Sequence, residues 1–168
     1  MDINKKQEIE NTTKTLRDRY YNSSILQIVR DHHNIDVLLY DFETSAISGA
    51  LIWQGYDGFN KNTILLNKNE TGERNLFTLA HEFGHYILRH KNGDGKNFRI
   101  DYYNPSIHKQ ETEKEKKEEI AANHFAGALL MPKNLMEQYT RRGLSIPEIA
   151  DMFGVSPSAV LTRLEWLK

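Results

Sequence analysis

The sequence predicts an α+β fold: a small, mainly antiparallel three-stranded sheet packed against helices and followed by a helical C-terminal segment. Three observations predict it. Runs rich in Ile, Val, Leu and aromatic residues occupy 35–42, 46–56 and 62–67, with a turn-rich "YDGFNKN" between the last two. From Thr71 the apolar period lengthens to that of a helix. Beyond Pro132, cap and stop residues punctuate three short helices.

The first thirty residues are expected to be helical in two pieces. One is polar and carries Ile3, Ile9 and Leu16; the other, "SSILQIVR", opens with Ser23 as its cap. The three strands follow one another too closely for the long crossover of a parallel pair, so antiparallel pairing is expected. Leu76, Leu79, Ala80, Phe83 and Ile87 then recur at helical spacing until "KNGDG" (91–95) stops the run, and 96–110 reads as a loop. A further helix spans about 111–130 and ends before Pro132, because proline disfavours the helical conformation in the residue preceding it. "PKNLMEQYTRRG" has Pro132 near its start and Gly143 past its end. Ser145 with Glu148 makes a capping box, Ser156 and Pro157 open the last helix, and Val155 and Val160 are spaced for a hydrophobic staple.

The chain has 168 residues, 39% hydrophobic and 27% charged. That is enough for one domain with a real core over 1–168. A net charge of −1 argues neither for a nucleic-acid surface nor for a polyacidic tail. No cysteine is present, so a tight metal site must use His and carboxylate. The first residues lack the apolar core of a signal peptide, and no stretch approaches the ~20 apolar residues that span a bilayer. A soluble, cytoplasmic protein without membrane contact is expected.

The stretch "TLAHEFGHYIL" (78–88) carries the strongest chemical signal. Residues four apart share a helix face, so His81 and His85 can aim two ring nitrogens at one ion. Glu82, displaced around the axis, can address a water beside that ion, which is the logic of HExxH. A surface helix with ordinary polar residues is the competing account. It is weakened because Phe77 and Leu88 flank the histidines opposite the main apolar stripe, and a helix apolar on two sides is covered on both. Covered histidines need partners or a ligand.

A third ligand is sought on another helix. In "ETEKEKKEEIAANHFAGALLMP" the first half is a solvated charge run, and at Glu118–Glu119 it turns into a helix of small apolar residues. Glu119 and Asn123 lie four apart, placing a carboxylate ligand one turn from an amide that can hydrogen-bond a metal-bound imidazole. Glu118 is the alternative ligand.

"FTLAHEFGHYILRH", "NFRID", "EIAANHFAGALLMP" and "IADMFGVSPSAVLTRL" together resemble the ImmA/IrrE family of metallopeptidases over about 35–168. Glu119, Ala122, Asn123, Phe125 and Ala126 match the family's paired element. The resemblance implies a gluzincin-like fold with zincin-type active-site helices. It also implies one Zn2+ held by His81, His85 and Glu119, with Glu82 as catalytic base. Mn or Fe would suit the same ligands. Relatives cut helix-turn-helix repressors in phages, mobile elements and stress responses, so an anti-repressor endopeptidase with a protein substrate is implied.

Such enzymes add a Tyr or His to stabilise the oxyanion; Tyr102, Tyr103 and His108 are the candidates for that or for binding substrate. An extended substrate is expected to add to a sheet edge at "AISGALIWQGY", where Gly49 and Gly55 allow close approach. The subregion 133–168 also resembles a helix-turn-helix, so the alternative is a DNA-binding or metal-sensing regulator without turnover. Its charge is poor for DNA: Lys133, Arg141, Arg142, Arg163 and Lys168 face Glu137, Glu148, Asp151 and Glu165. Only Ser158, Thr162 and Arg163 could reach bases or phosphates. His32 and His33 read as a solvated helix end, and His90 and His124 as helix-terminal and packing residues.

Overall fold

The computed structural model describes residues 1–90, 97–102 and 112–168, with only the backbone of residue 102. Helix α1 (Ile3–Arg19) begins where the Asp2 side chain accepts from the amide of Lys5. A second helical segment, α2 (Ile25–Gln27), runs on into a wider turn over Ile28–His32. Its cap is Ser24, one residue later than predicted. A capping box needs Glu or Gln three residues on, and Gln27 stands in that relation to Ser24 whereas Ser23 would meet Leu26.

The strands β1 (Asp36–Tyr40), β2 (Ile47–Ile52), β3 (Thr63–Asn67) and β4 (Phe98–Tyr102) form one mixed sheet in the order β1-β3-β2-β4. The fold is α+β as expected, but the three antiparallel strands are corrected in two respects. Three successive strands alternate in direction, so β3, inserted between β1 and β2, runs parallel to β1 and antiparallel to β2. No helix is needed for that crossover, because β2 itself carries the chain back. The second correction is β4, which lies within the segment read as a loop and pairs antiparallel with β2. It is short, and its cue is Phe98 and Ile100 alternating with Arg99 and Asp101.

Strand β2 is therefore interior and not the open edge expected to receive substrate. A Cβ on Gly49 would lie 2.5 Å from Thr78 Cγ2 and 2.8 Å from the Leu65 carbonyl. The close approach this glycine permits is to its own helix. That helix, α3 (Gly72–Ile87), is capped by Thr71 and crosses the sheet face carrying Leu51, Ile64 and Leu66, burying Leu79, Ala80 and Phe83 against it. Buried Asn67 donates to the carbonyls of Thr44 and Ile47, and its own carbonyl accepts from Asn75, which fixes where α3 leaves the sheet.

Helix α4 (Glu113–Leu130) opens with a capping box between Thr112 and Glu115 and packs along α3. The two come close because Gly84 faces Phe125: a Cβ there would meet the ring at 3.0–3.2 Å. Helices α5 (Lys133–Arg141), α6 (Ile146–Phe153) and α7 (Pro157–Trp166) follow where predicted. The Ser145–Glu148 box forms, Gly154 ends α6 at φ 64°, and Val155 and Val160 are buried as the staple requires. Among the described residues no helix is long and apolar enough to cross a membrane.

Arg163 of α7 is fully buried, which removes it from the expected DNA-contacting set. Both its terminal nitrogens donate to Glu10 of α1, and its Nε donates to the Met131 carbonyl at 3.0 Å. His124 of α4 sets its Nε2 3.1 Å from the same carboxylate. Burial opposes ionisation of Glu10, but hydrogen bonds from Arg163 and His124 outweigh it and hold the group at about 2 against an ordinary 4.5. A depressed carboxylate stabilises the fold fully above its unfolded pKa and loses that contribution as pH falls through the folded one. Glu10→Gln should cost about 3–5 kcal/mol in denaturant unfolding at pH 7, because Arg163 is left buried and uncompensated. In the parent chain that stabilisation should fade as pH falls from 4.5 towards 2, and the loss should be absent from the variant.

Candidate metal centre

Helix α3 carries His81, Glu82 and His85, all buried, and α4 brings Glu119 across from the facing helix. The Nε2 atoms of His81 and His85 lie 3.0 Å apart. Glu119 Oε2 is 3.3 Å from the first and Oε1 is 3.4 Å from the second. One atom from each of the three residues falls within 4.8 Å of the others, so the group could hold an ion. It is Glu119, and not the alternative Glu118, that faces both rings.

The far sides of the rings are also engaged. His81 Nδ1 lies 3.0 Å from Asn123 Oδ1, an atom that can only accept, so Nδ1 donates and Nε2 is left with a bare lone pair. His85 Nδ1 lies 3.0 Å from His90 Nδ1. Burial holds His90 down at about 4, so that ring is neutral and can accept. A hydrogen donated by His85 leaves its Nε2 bare too. Two bare nitrogens and a carboxylate at such separations repel unless a proton or a cation sits among them. The donor set, imidazole and carboxylate at bonding reach of one point, fits a divalent ion.

The electrostatics of the protein alone report the same demand. Burial opposes charge on His81, yet hydrogen bonding to Glu119 and the nearby acids Asp101 and Glu82 push it up to about 9. Burial pushes His85 down to about 3. Glu119 is also disfavoured by burial, but its closeness to both imidazoles holds it well below the usual carboxylate range. One positive charge is wanted, and a proton supplies it when no ion does.

Glu82 is almost completely buried, and its Oε2 has no hydrogen-bond partner among the described residues. Burial raises it to about 8. It forms a second close group with His81 and Asp101 of β4, and burial raises Asp101 as well. From the same strand and the same side, Arg99 donates to Glu119 Oε1 at 2.7 Å and to Glu118 Oε2 at 2.8 Å.

Sequence reasoning missed Arg99, Asp101 and His90. For the first two the period-two pattern of "FRID" was the available signal. His90 lies at the helix terminus as expected, with a ring contact the expectation did not include: Arg89 turns the chain at φ 58° just past the helix, and His90 folds back under His85. Nothing periodic announces that. His124 packs on Trp166 as expected, at 4.9 Å between ring centroids. His32 stacks on Tyr20 at 4.1 Å, and His33 meets Phe83 edge-on at 4.9 Å, neither joining a metal-holding group among the described residues. Tyr103, His108 and the side chain of Tyr102 lie outside the described residues.

Residues 30–165 match the model of the IrrE N-terminal-like domain of the M78 peptidases. The chain belongs to that family. It therefore has a metallopeptidase-type domain, with the grouped histidines and glutamate as its candidate metal site. A solved Mycobacterium tuberculosis transcriptional regulator has a similar fold, with a TM-score of 0.61 at 16% identity. The likeness covers 97% of this chain but 47% of that one, so this chain spans about half of that protein's length. No curated protein sequence matches the chain.

Outer hydrogen-bond partners of ligating histidines typically contribute 10–100-fold in metal affinity. Asn123→Ala and His90→Ala should each weaken Zn2+ binding by about that factor, read by competition with a chromophoric chelator, with little change in far-UV circular dichroism.

Proposed function

We propose that the protein is a zinc-dependent endopeptidase that cuts a protein substrate at a defined site. A helix-turn-helix transcriptional repressor is the substrate class that the resemblance suggests. The observation that carries the reading is the pair of Nε2 atoms 3.0 Å apart and closed by Glu119, with an orphaned buried carboxyl oxygen of Glu82 beside them. His81, His85 and Glu119 are the ligands, and Glu82 is the general base. Zinc, when bound there, would supply a Lewis acid and a water acidified towards ~7.

The chain's own residues then do the following. Glu82, held near 8 by burial, is poised to take up and return a proton close to neutral pH. A cation beside it favours its ionised form and so prepares it to accept. Asn123 and His90 keep the ring tautomers that leave both Nε2 atoms free. Strand β4, paired on one side to β2, has no strand partner on the other among the described residues. It replaces β2 as the edge to which an extended peptide can add. A cleft of about 550 Å3 between the start of α3, α4 and α7 borders the centre at Phe77 and Asn123, giving a substrate segment a place beside the candidate metal centre.

The regulator reading is less well supported. Arg163 is buried, which leaves Ser158 and Thr162, both on the wall of that cleft. The experiment first asks whether a neighbouring gene encodes a helix-turn-helix repressor, then pairs that purified repressor with the purified protein and Zn2+. Glu82→Gln should retain one equivalent of zinc while cleavage falls by about 10²–10⁴-fold. Cleavage undiminished in that variant would reject the mechanism. An intact repressor with the zinc-loaded parent would reject the substrate class and favour metal sensing without turnover.

A further inference from the structure

Arg99 is buried, and three of its contacts go to different parts of the centre's frame. Nη2 donates to Glu119 Oε1 at 2.7 Å. Nη1 donates to Glu118 Oε2 at 2.8 Å and points to the His90 carbonyl at 3.4 Å. One guanidinium from β4 thus meets the carboxylate facing both histidines, the neighbouring glutamate on α4, and the residue whose ring holds His85.

Those contacts decide between two adjacent glutamates. Glu118 and Glu119 follow one another on α4, and both carry a side chain long enough to serve. Guanidinium binds a carboxylate through a rigid planar fork. With one arm on each glutamate, Arg99 ties Glu118 apart from Glu119, where Lys114 also reaches it at 3.6 Å. The other arm grips Glu119 by Oε1, the oxygen nearer His85, and leaves Oε2 without a guanidinium contact.

We propose that Arg99 is the positioning residue of the metal centre: it selects Glu119 over Glu118 as the ligand and presents it to the ion through a single oxygen, Oε2. This rests on the metal-binding part of the function proposed above and not on peptide cleavage. A lysine at 99 could neutralise Glu119 but could not fork between two carboxylates. Glu118 acts with Arg99, holding the far arm so that the near one keeps its angle.

Zinc affinity, measured by chelator competition on the intact chain, tests the assignment together with the visible spectrum of the cobalt(II) form. Arg99→Gln should lower zinc affinity about 10–100-fold, the range found for groups that orient ligands. It should also change the cobalt d–d bands, because the carboxylate is released to swing or to bind through both oxygens. Arg99→Lys should recover part of the affinity but not the parent spectrum. Glu118→Gln, which leaves Arg99 in place, should give a smaller loss, about 10-fold, at the low end of that range. A merely structural role would lower unfolding temperature without moving the cobalt bands.

Zinc affinity within twofold of the parent and unchanged cobalt spectra in both Arg99→Gln and Glu118→Gln would overturn the proposal. If Arg99→Gln fails to fold, Glu118→Gln decides alone. A parent chain that binds zinc but cuts nothing would end the peptidase reading and leave this one standing. A parent chain that binds no zinc would end both.

Discussion

The centre depends on one electrostatic constraint: two imidazole nitrogens and a carboxylate are held together where water cannot separate them. Two Nε2 atoms 3.0 Å apart and facing one carboxylate form a concentration of electron density that no neutral packing would choose. Burial of polar groups without partners costs free energy. The arrangement persists because Asn123, His90 and Arg99 engage the remaining atoms of each group from outside. The same burial that makes the group costly leaves a positive charge as the only satisfactory occupant.

Holding the three groups requires two helices closer together than ordinary side chains permit. Gly84 lies between the two histidines in sequence, and its missing side chain is the space that Phe125 fills. Phe125 is two residues past Asn123, so the glycine that lets the helices meet also brings Asn123 to His81. Ala121 and Ala122 keep the rest of the seam thin. The sheet contributes from its edge: β4 directs Arg99 and Asp101 to one side because alternate residues of a strand share a face. Arg99 lowers the charge density around Glu119, while Asp101 raises it around His81 and Glu82. The centre is thus flanked by opposite charges from two residues of one short strand.

Much of this was legible in the sequence where local rules apply. The capping box at Ser145, the glycine past the end of the helix at 143, and the four-residue spacings of His81 with His85 and Glu119 with Asn123 are short-range features. Neighbouring residues determine them, so they survive folding unchanged. Pairing order does not have that property. The insertion of β3 between β1 and β2 is settled by which arrangement buries Ile64 and Leu66 under α3, and no local signal records it. Strand β4 has only five residues and two of them are charged, so its alternation was taken for loop composition. Arg99 is charged because it serves Glu119, a residue 20 positions away. A polar residue chosen for a distant partner looks, in sequence, like a surface residue.

The network around Glu10 extends the argument to the ends of the chain. Residue 10 lies before the stretch that matches the family model, yet its carboxylate receives Arg163 of α7 and lies against His124 of α4. His124 directly follows Asn123, so the helix that positions His81 is braced through α1 to the C-terminal helices. Arg163 has no exposure and is bound at all three of its nitrogens. Drawing it out to a phosphate would strand Glu10 inside the protein. Helix α7 is therefore fixed as a wall of the cleft beside the centre. An element that looks like a nucleic-acid reader in sequence has, by the packing of one arginine, one of its three expected contact residues turned inward.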